Sequence, residues 1–222
     1  MRDLLRSLST PAEAAVVIAV AFGYFIFAAV YTVIESIAEP HITNDHLLAL
    51  LIIETPIIVL LGVFLKTRGW TFARLGLALN VMDTAIGMGL AVVFLVVNTM
   101  IWMLLRSMDL SPSYLSAEGI VSGTFSIPIV IGASLVNALY EEMFVCAYII
   151  SVAKENERLA FGVNASVAIR LSYHLYQGGV GVITIIPFGL MCAWWFAKTG
   201  RIWPIVVAHA GIDIIALTQS SA

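Results

Sequence analysis

Three pairs of ionisable residues interrupt the apolar second half of this sequence. Glu141 and Glu142 lie in "NALYEEMFVCAYII", Arg170 and His174 in "RLSYH", and His209 and Asp213 in "HAGID". The second and third pairs are spaced i,i+4, which puts each on one face of a helix. A carboxylate near a histidine can activate water as a general base. A second histidine can donate a hydrogen bond to a developing oxyanion. Asp213 is expected to orient His209 through one ring nitrogen, leaving the other to act. Such a set suits hydrolysis of an amide bond. By ligand type alone the histidines and carboxylates also suit zinc. Other protease chemistries fit less well: there is no H-E-x-x-H run, and Ser134 follows Gly132-Ala133 with no glycine after it. A pair of catalytic aspartates on two helices is missing, since Asp83 is expected at a helix end.

The elements that must position these groups are set by composition. Of 222 residues, 61% are hydrophobic and 11% charged, and the mean hydropathy is +1.00. A soluble domain carries about 25% charged residues. Seven apolar runs, near 13–37, 47–66, 83–105, 127–152, 160–176, 181–198 and 203–219, approach the roughly 17–25 residues of a transmembrane helix. No period-2 alternation supports strands. The expected fold is an all-α polytopic bundle of seven transmembrane helices, or eight if residues 111–128 form a half-helix, in one integral membrane domain over 1–222. The first run is expected to be a retained helix rather than a signal peptide. Nine of the eleven Lys and Arg fall at one end of the helices: Arg2, Arg6, Lys66, Arg68, Arg74, Lys154, Arg158, Lys198 and Arg201. That end should be cytoplasmic, with the N-terminus inside and the C-terminus outside. Cys146 and Cys192 both fall in helices, so neither a disulfide nor a cysteine metal site is expected. The net charge of −3 reflects topology more than partners, and no nucleic-acid partner is expected.

Within lipid each ionisable group costs about 2.5–3.5 kcal/mol, so the three motifs need a common purpose. Glu141 and Glu142 lie about 17 Å from the cytoplasmic end of their helix at 1.5 Å per residue, and the other two pairs reach overlapping depths. Glu54, in "LIIETPII", lies at a similar depth. Either it lines the same chamber as a supporting residue, or it caps backbone groups freed by Pro56; the structural role is preferred. Asn98 and Asn137 are expected to hydrogen-bond between helices. Glu35, Glu39 and Asp83 lie near helix ends, where headgroups or water are within reach.

The three motifs together resemble the CPBP family of intramembrane proteases, which includes C-a-a-X prenyl-protein endopeptidases and bacteriocin-processing or immunity proteins. The family pattern is Glu-Glu-x-x-x-Arg, Phe-x-x-x-His and His-x-x-x-Asn/Asp on successive helices, and the resemblance covers about residues 125–220. It implies that Glu141 activates water beside Glu142, that His174 helps hold the water, and that His209 and Asp213 stabilise the oxyanion, with no cofactor and zinc as the alternative. Two positions depart from the pattern: Cys146 stands in place of the family arginine and Arg170 in place of the phenylalanine. Arg170 is expected to restore the lost cation from the neighbouring helix. An ionised Asp213 cannot donate to an oxyanion, which leaves that task to His209 unless Asp213 is protonated. The implied activity is a glutamate-dependent intramembrane endopeptidase acting on a membrane-anchored protein or peptide. The alternatives are a non-catalytic binding or immunity protein of the same fold and a proton-coupled transporter. The short loops suggest a bacterial cytoplasmic membrane.

Overall fold

A computed structural model of the protein describes residues 8–35, 42–110 and 125–219. Seven helical segments run through them: α1 (Thr10–Ile34), α2 (Asn44–Thr67), α3 (Val81–Ser107), α4 (Ile127–Glu155), α5 (Leu159–Tyr173), α6 (Gly178–Thr199) and α7 (Trp203–Gln219). The all-α bundle expected from the apolar runs is thus the observed fold, with helix ends shifted by a few residues. Glu39 and most of the proposed half-helix at 111–128 lie outside the described residues. Five segments are long and apolar enough to cross a membrane: α1 to α4, and α6 with the turn before it. This makes the protein an integral membrane protein. The other two are shorter. α5 has 15 residues, about 22 Å at 1.5 Å per residue, and it stops short of the roughly 30 Å hydrocarbon core.

Helix starts follow local chemistry. The side chains of Ser9, Thr43 and Asn80 accept from the backbone N–H of Ala12, His46 and Asp83, filling donors that a first turn leaves free. α6 ends at Gly200, whose φ of 65° is left-handed backbone that glycine adopts without steric cost.

α4 is the central helix. Every residue from Tyr140 to Ile150 is buried, as a helix with no polar face requires. Its first half packs between α2 and α7, and its second half against α5, α6 and α1. Gly87 lets α3 approach α7 closely, since a Cβ there would meet the Pro204 carbonyl at 2.6 Å. α1 and α2 pack little against each other. They are tied instead at the end that carries the basic loops. There Glu13 accepts from Trp70 Nε1 (2.9 Å) and Tyr148 OH (3.0 Å) and pairs with Arg68. Asp83 is not free to reach headgroups: it is 1% exposed and pairs with Arg201 at 2.5 Å. The loop after α6 folds back over the start of α3 and supplies the cation there. Glu35 is exposed as expected. Large apolar side chains such as Tyr24, Phe27, Ile52 and Met100 cover the outside of the bundle, suited to lipid contact. Both cysteines are buried and free.

Candidate active site

Midway along α4 the helix changes its winding. Residues Glu142–Tyr148 form a π-helical segment between two α-helical ones. Such segments are rare and cluster at functional sites. Neighbouring residues of an α-helix point about 100° apart, yet Glu141 and Glu142, at the start of this segment, both reach one cation. Arg170 Nη1 donates to Glu141 Oε2 at 3.0 Å and Nη2 to Glu142 Oε1 at 2.7 Å. The Arg170 side chain is 1% exposed and that of Glu142 0%. An arginine fork of this kind gives charge-assisted bonds with fixed geometry.

Arg170 arrives from α5, and a glycine on α6 admits it. A Cβ on Gly189 would lie 3.3 Å from Arg170 Cδ. The guanidinium also lies 5.2 Å from the ring centre of Phe188. Cys146 Sγ sits 3.9 Å from Arg170 Nη2. The cation on α5 therefore stands beside the position where the family pattern has its arginine on α4.

The remaining groups gather around this pair. Tyr173 OH donates to Glu141 Oε2 at 2.6 Å. Asn137, one turn before Glu141, donates through Nδ2 to Glu54 Oε1 at 2.8 Å and, at a long 3.4 Å, to Glu141 Oε1. The tyrosine stands next to His174 and the asparagine is spaced i,i+4 from Glu141. Those were the only sequence signals for their part in the site. Glu54 does not cap the backbone freed by Pro56. Its Oε1 accepts across to α4, from Asn137, and its Oε2 is buried without a partner, so neither oxygen bonds the backbone near Pro56. Asn137 is the interhelical link expected of it, whereas the Oδ1 of Asn98 is buried without a partner.

The two histidines have defined ring orientations. His174, at the end of α5, places Nδ1 2.9 Å from the Arg170 carbonyl. A carbonyl can only accept, so Nδ1 carries the hydrogen and Nε2 of the neutral ring keeps its lone pair. His209 places Nδ1 2.8 Å from Glu142 Oε1, and the Phe188 ring packs edge-on against it. Its Nε2 is 3.6 Å from Asp213 Oδ2, too long for a hydrogen bond. The carboxylate that orients His209 is therefore Glu142 and not Asp213, because α4 reaches closer to the ring than the next turn of α7 does.

Glu54, Asn137, Glu141, His174, His209 and Asp213 all line one cavity of about 570 Å³. Glu142 and Arg170 lie behind its wall. Ligand atoms of Glu141, Glu142 and His209 lie within 4.8 Å of one another and suit a metal by type. Arg170 already bonds one oxygen of each carboxylate and so brings a positive charge to the same place.

Residues 123–215 match the family model described as type II CAAX prenyl endopeptidase Rce1-like. The match runs from just before α4 into α7, spans all three motifs, and agrees with the resemblance carried by those motifs. No curated protein and no solved structure shows significant similarity to the chain.

Proposed function

Given a segment that matches a membrane-protease family, we propose that the protein is a glutamate-dependent intramembrane endopeptidase that hydrolyses a peptide bond of a membrane-associated substrate. The observation that carries this reading is the convergence of Glu141, His174, His209 and Asp213, from three helices, on one cavity. Glu141 Oε2 is held by Arg170 and Tyr173. Its Oε1 has only a long contact to Asn137 and can take a proton from water. His174 Nε2 accepts the water's other hydrogen and fixes its direction. The water oxygen bonds to the substrate carbonyl carbon as its proton passes to Glu141. The carbonyl oxygen becomes an oxyanion. His209 donates to it through Nε2, which requires the imidazolium form because the Nδ1 hydrogen is committed to Glu142. Asp213, acceptor-only when ionised, serves as counter-charge to that ring rather than as an oxyanion donor. Collapse of the intermediate breaks the C–N bond, and the proton on Glu141 leaves with the amine.

No metal takes part in this scheme, and Arg170 supplies the fixed positive charge. The test is product mapping by mass spectrometry on membrane peptides, including a farnesylated C-terminal tetrapeptide. Glu141→Gln should retain the fold and lose about 10²–10⁴-fold in rate, the usual contribution of a general base. Wild-type-like cleavage by Glu141→Gln would overturn the assignment of the base. Failure of the wild type to cleave any peptide would favour a non-catalytic binding protein, a reading to which the departures at Cys146 and Arg170 already point.

A further inference from the structure

The cavity and most of the basic residues lie at opposite ends of the bundle. The cavity begins at mid-depth with Glu54 and Glu141 and ends at Thr32, His46, Gln177 and Leu217. Thr32 lies in the last turn of α1, His46 in the first turn of α2, Gln177 in the turn before α6, and Leu217 in the last turn of α7. All four elements meet at the same end. Arg106, in the last turn of α3, lies at the cavity end, and the other basic residues near the described helix ends occupy the opposite one: Lys66 and Arg68 close α2, Lys154 and Arg158 bound the α4–α5 turn, and Lys198 and Arg201 bound the α6–α7 turn. None of these lines the cavity. The Glu13–Arg68–Trp70–Tyr148 cluster ties α1, the chain after α2, and α4 together at that basic end.

Lys and Arg in short loops mark the cytoplasmic side of a membrane protein. We infer that the cavity is reached from the extracytoplasmic side of the membrane. Its substrate class is then a membrane-anchored peptide whose scissile bond lies on that side or in the outer half of the bilayer. A prenylated C-terminus exposed to the cytoplasm does not belong to that class. The shape of α5 fits this direction of access: the helix is short, and the chain turns at His174–Gln177 beside the catalytic groups. The lining toward the mouth is also suited to such a guest. It is apolar on α1, with Phe25 and Ala28, and polar at Gln177 and His46, so it offers an apolar wall to an anchor and hydrogen-bonding groups to a peptide backbone. The word substrate rests on the endopeptidase reading; the side of access does not.

The test is cysteine accessibility in the full-length protein, expressed in a bacterial cytoplasmic membrane. Cys146 and Cys192 are both 0% exposed, so the natural background is low. Gln177→Cys probes the cavity mouth. Gly179→Cys, an exposed position with open space around its Cβ, probes the same end outside the cavity. Glu157→Cys, exposed in the α4–α5 turn, probes the basic end. The probe is a membrane-impermeant sulfonated maleimide, applied to intact spheroplasts and to lysed membranes. Labelling of Gln177→Cys and Gly179→Cys in intact spheroplasts, with Glu157→Cys labelled only after lysis, is the expected result. The reverse pattern overturns the inference. So does labelling of Gly179→Cys from outside while Gln177→Cys reacts under neither condition, since the cavity would then be closed to that side. These outcomes stand whether or not the protein cleaves any peptide.

Discussion

Removing Arg170 should be the most damaging single change in the site. Its guanidinium bonds Glu141 and Glu142 at 3.0 and 2.7 Å, and all three side chains are nearly inaccessible. Arg170→Phe, which restores the aromatic residue of the family pattern, leaves two adjacent carboxylates without their shared cation. Breaking a buried pair in this way costs about 3–5 kcal/mol, mostly from the orphaned charge. The two bonds share one cation, so their losses do not add. Cys146→Arg alone forces a long side chain into a site with no free space, at about 1–3 kcal/mol. Independent effects would therefore sum to about 4–8 kcal/mol in the double variant. The counter-ion role predicts otherwise. Cys146 Sγ lies 3.9 Å from Arg170 Nη2, so an arginine on α4 can place its guanidinium in the volume that Arg170 vacates. The double variant should be more stable than the sum by at least about 2 kcal/mol, within the range of coupling between contacting residues. Reversible unfolding of the four proteins in mixed micelles, titrated with sodium dodecyl sulfate, measures the cycle. Additivity within about 0.5 kcal/mol would refute the exchange of one cation for the other.

Three further outcomes follow from the same contacts. Gly189→Leu should cost about 1–3 kcal/mol by overpacking, because even a Cβ there meets Arg170 Cδ at 3.3 Å; unfolding at wild-type denaturant concentration would show that Arg170 can move aside. Glu54→Leu should lower both stability and cleavage, whereas Glu54→Gln, which can still accept from Asn137 Nδ2, should keep most of each. If Glu54→Leu has no effect in the wild type but acts in Asn137→Ala, the link through Asn137 is wrong. Cleavage should survive exhaustive treatment with 1,10-phenanthroline, since Arg170 already supplies a positive charge to both carboxylates; loss of activity that added zinc restores would mean that the site works through a metal.

The sequence alone determined the membrane bundle and the depth of its polar groups. Apolar runs of this length can be only helices in lipid, where every backbone group must be satisfied internally. Counting along each run at a fixed rise then places Glu141, His174 and His209 at overlapping depths. The unusual positions Cys146 and Arg170 were legible only against the family pattern that the motifs resemble, which has an arginine and a phenylalanine there. What tertiary structure decided was which group meets which. Partnerships across helices depend on how each helix is rotated about its axis, and no local pattern encodes that rotation. Packing of α4 against α7 sets Glu142, at the start of the π-helical segment, against His209 Nδ1, while Asp213 stays 3.6 Å from Nε2. Packing of α2 against the first half of α4 brings Glu54 to Asn137, and the fold-back after α6 gives Asp83 its partner in Arg201. Each contact joins residues more than 60 positions apart in the chain. Only the packed bundle brings such residues together, because their pairing is set by the fit of whole helix faces and not by neighbours in sequence.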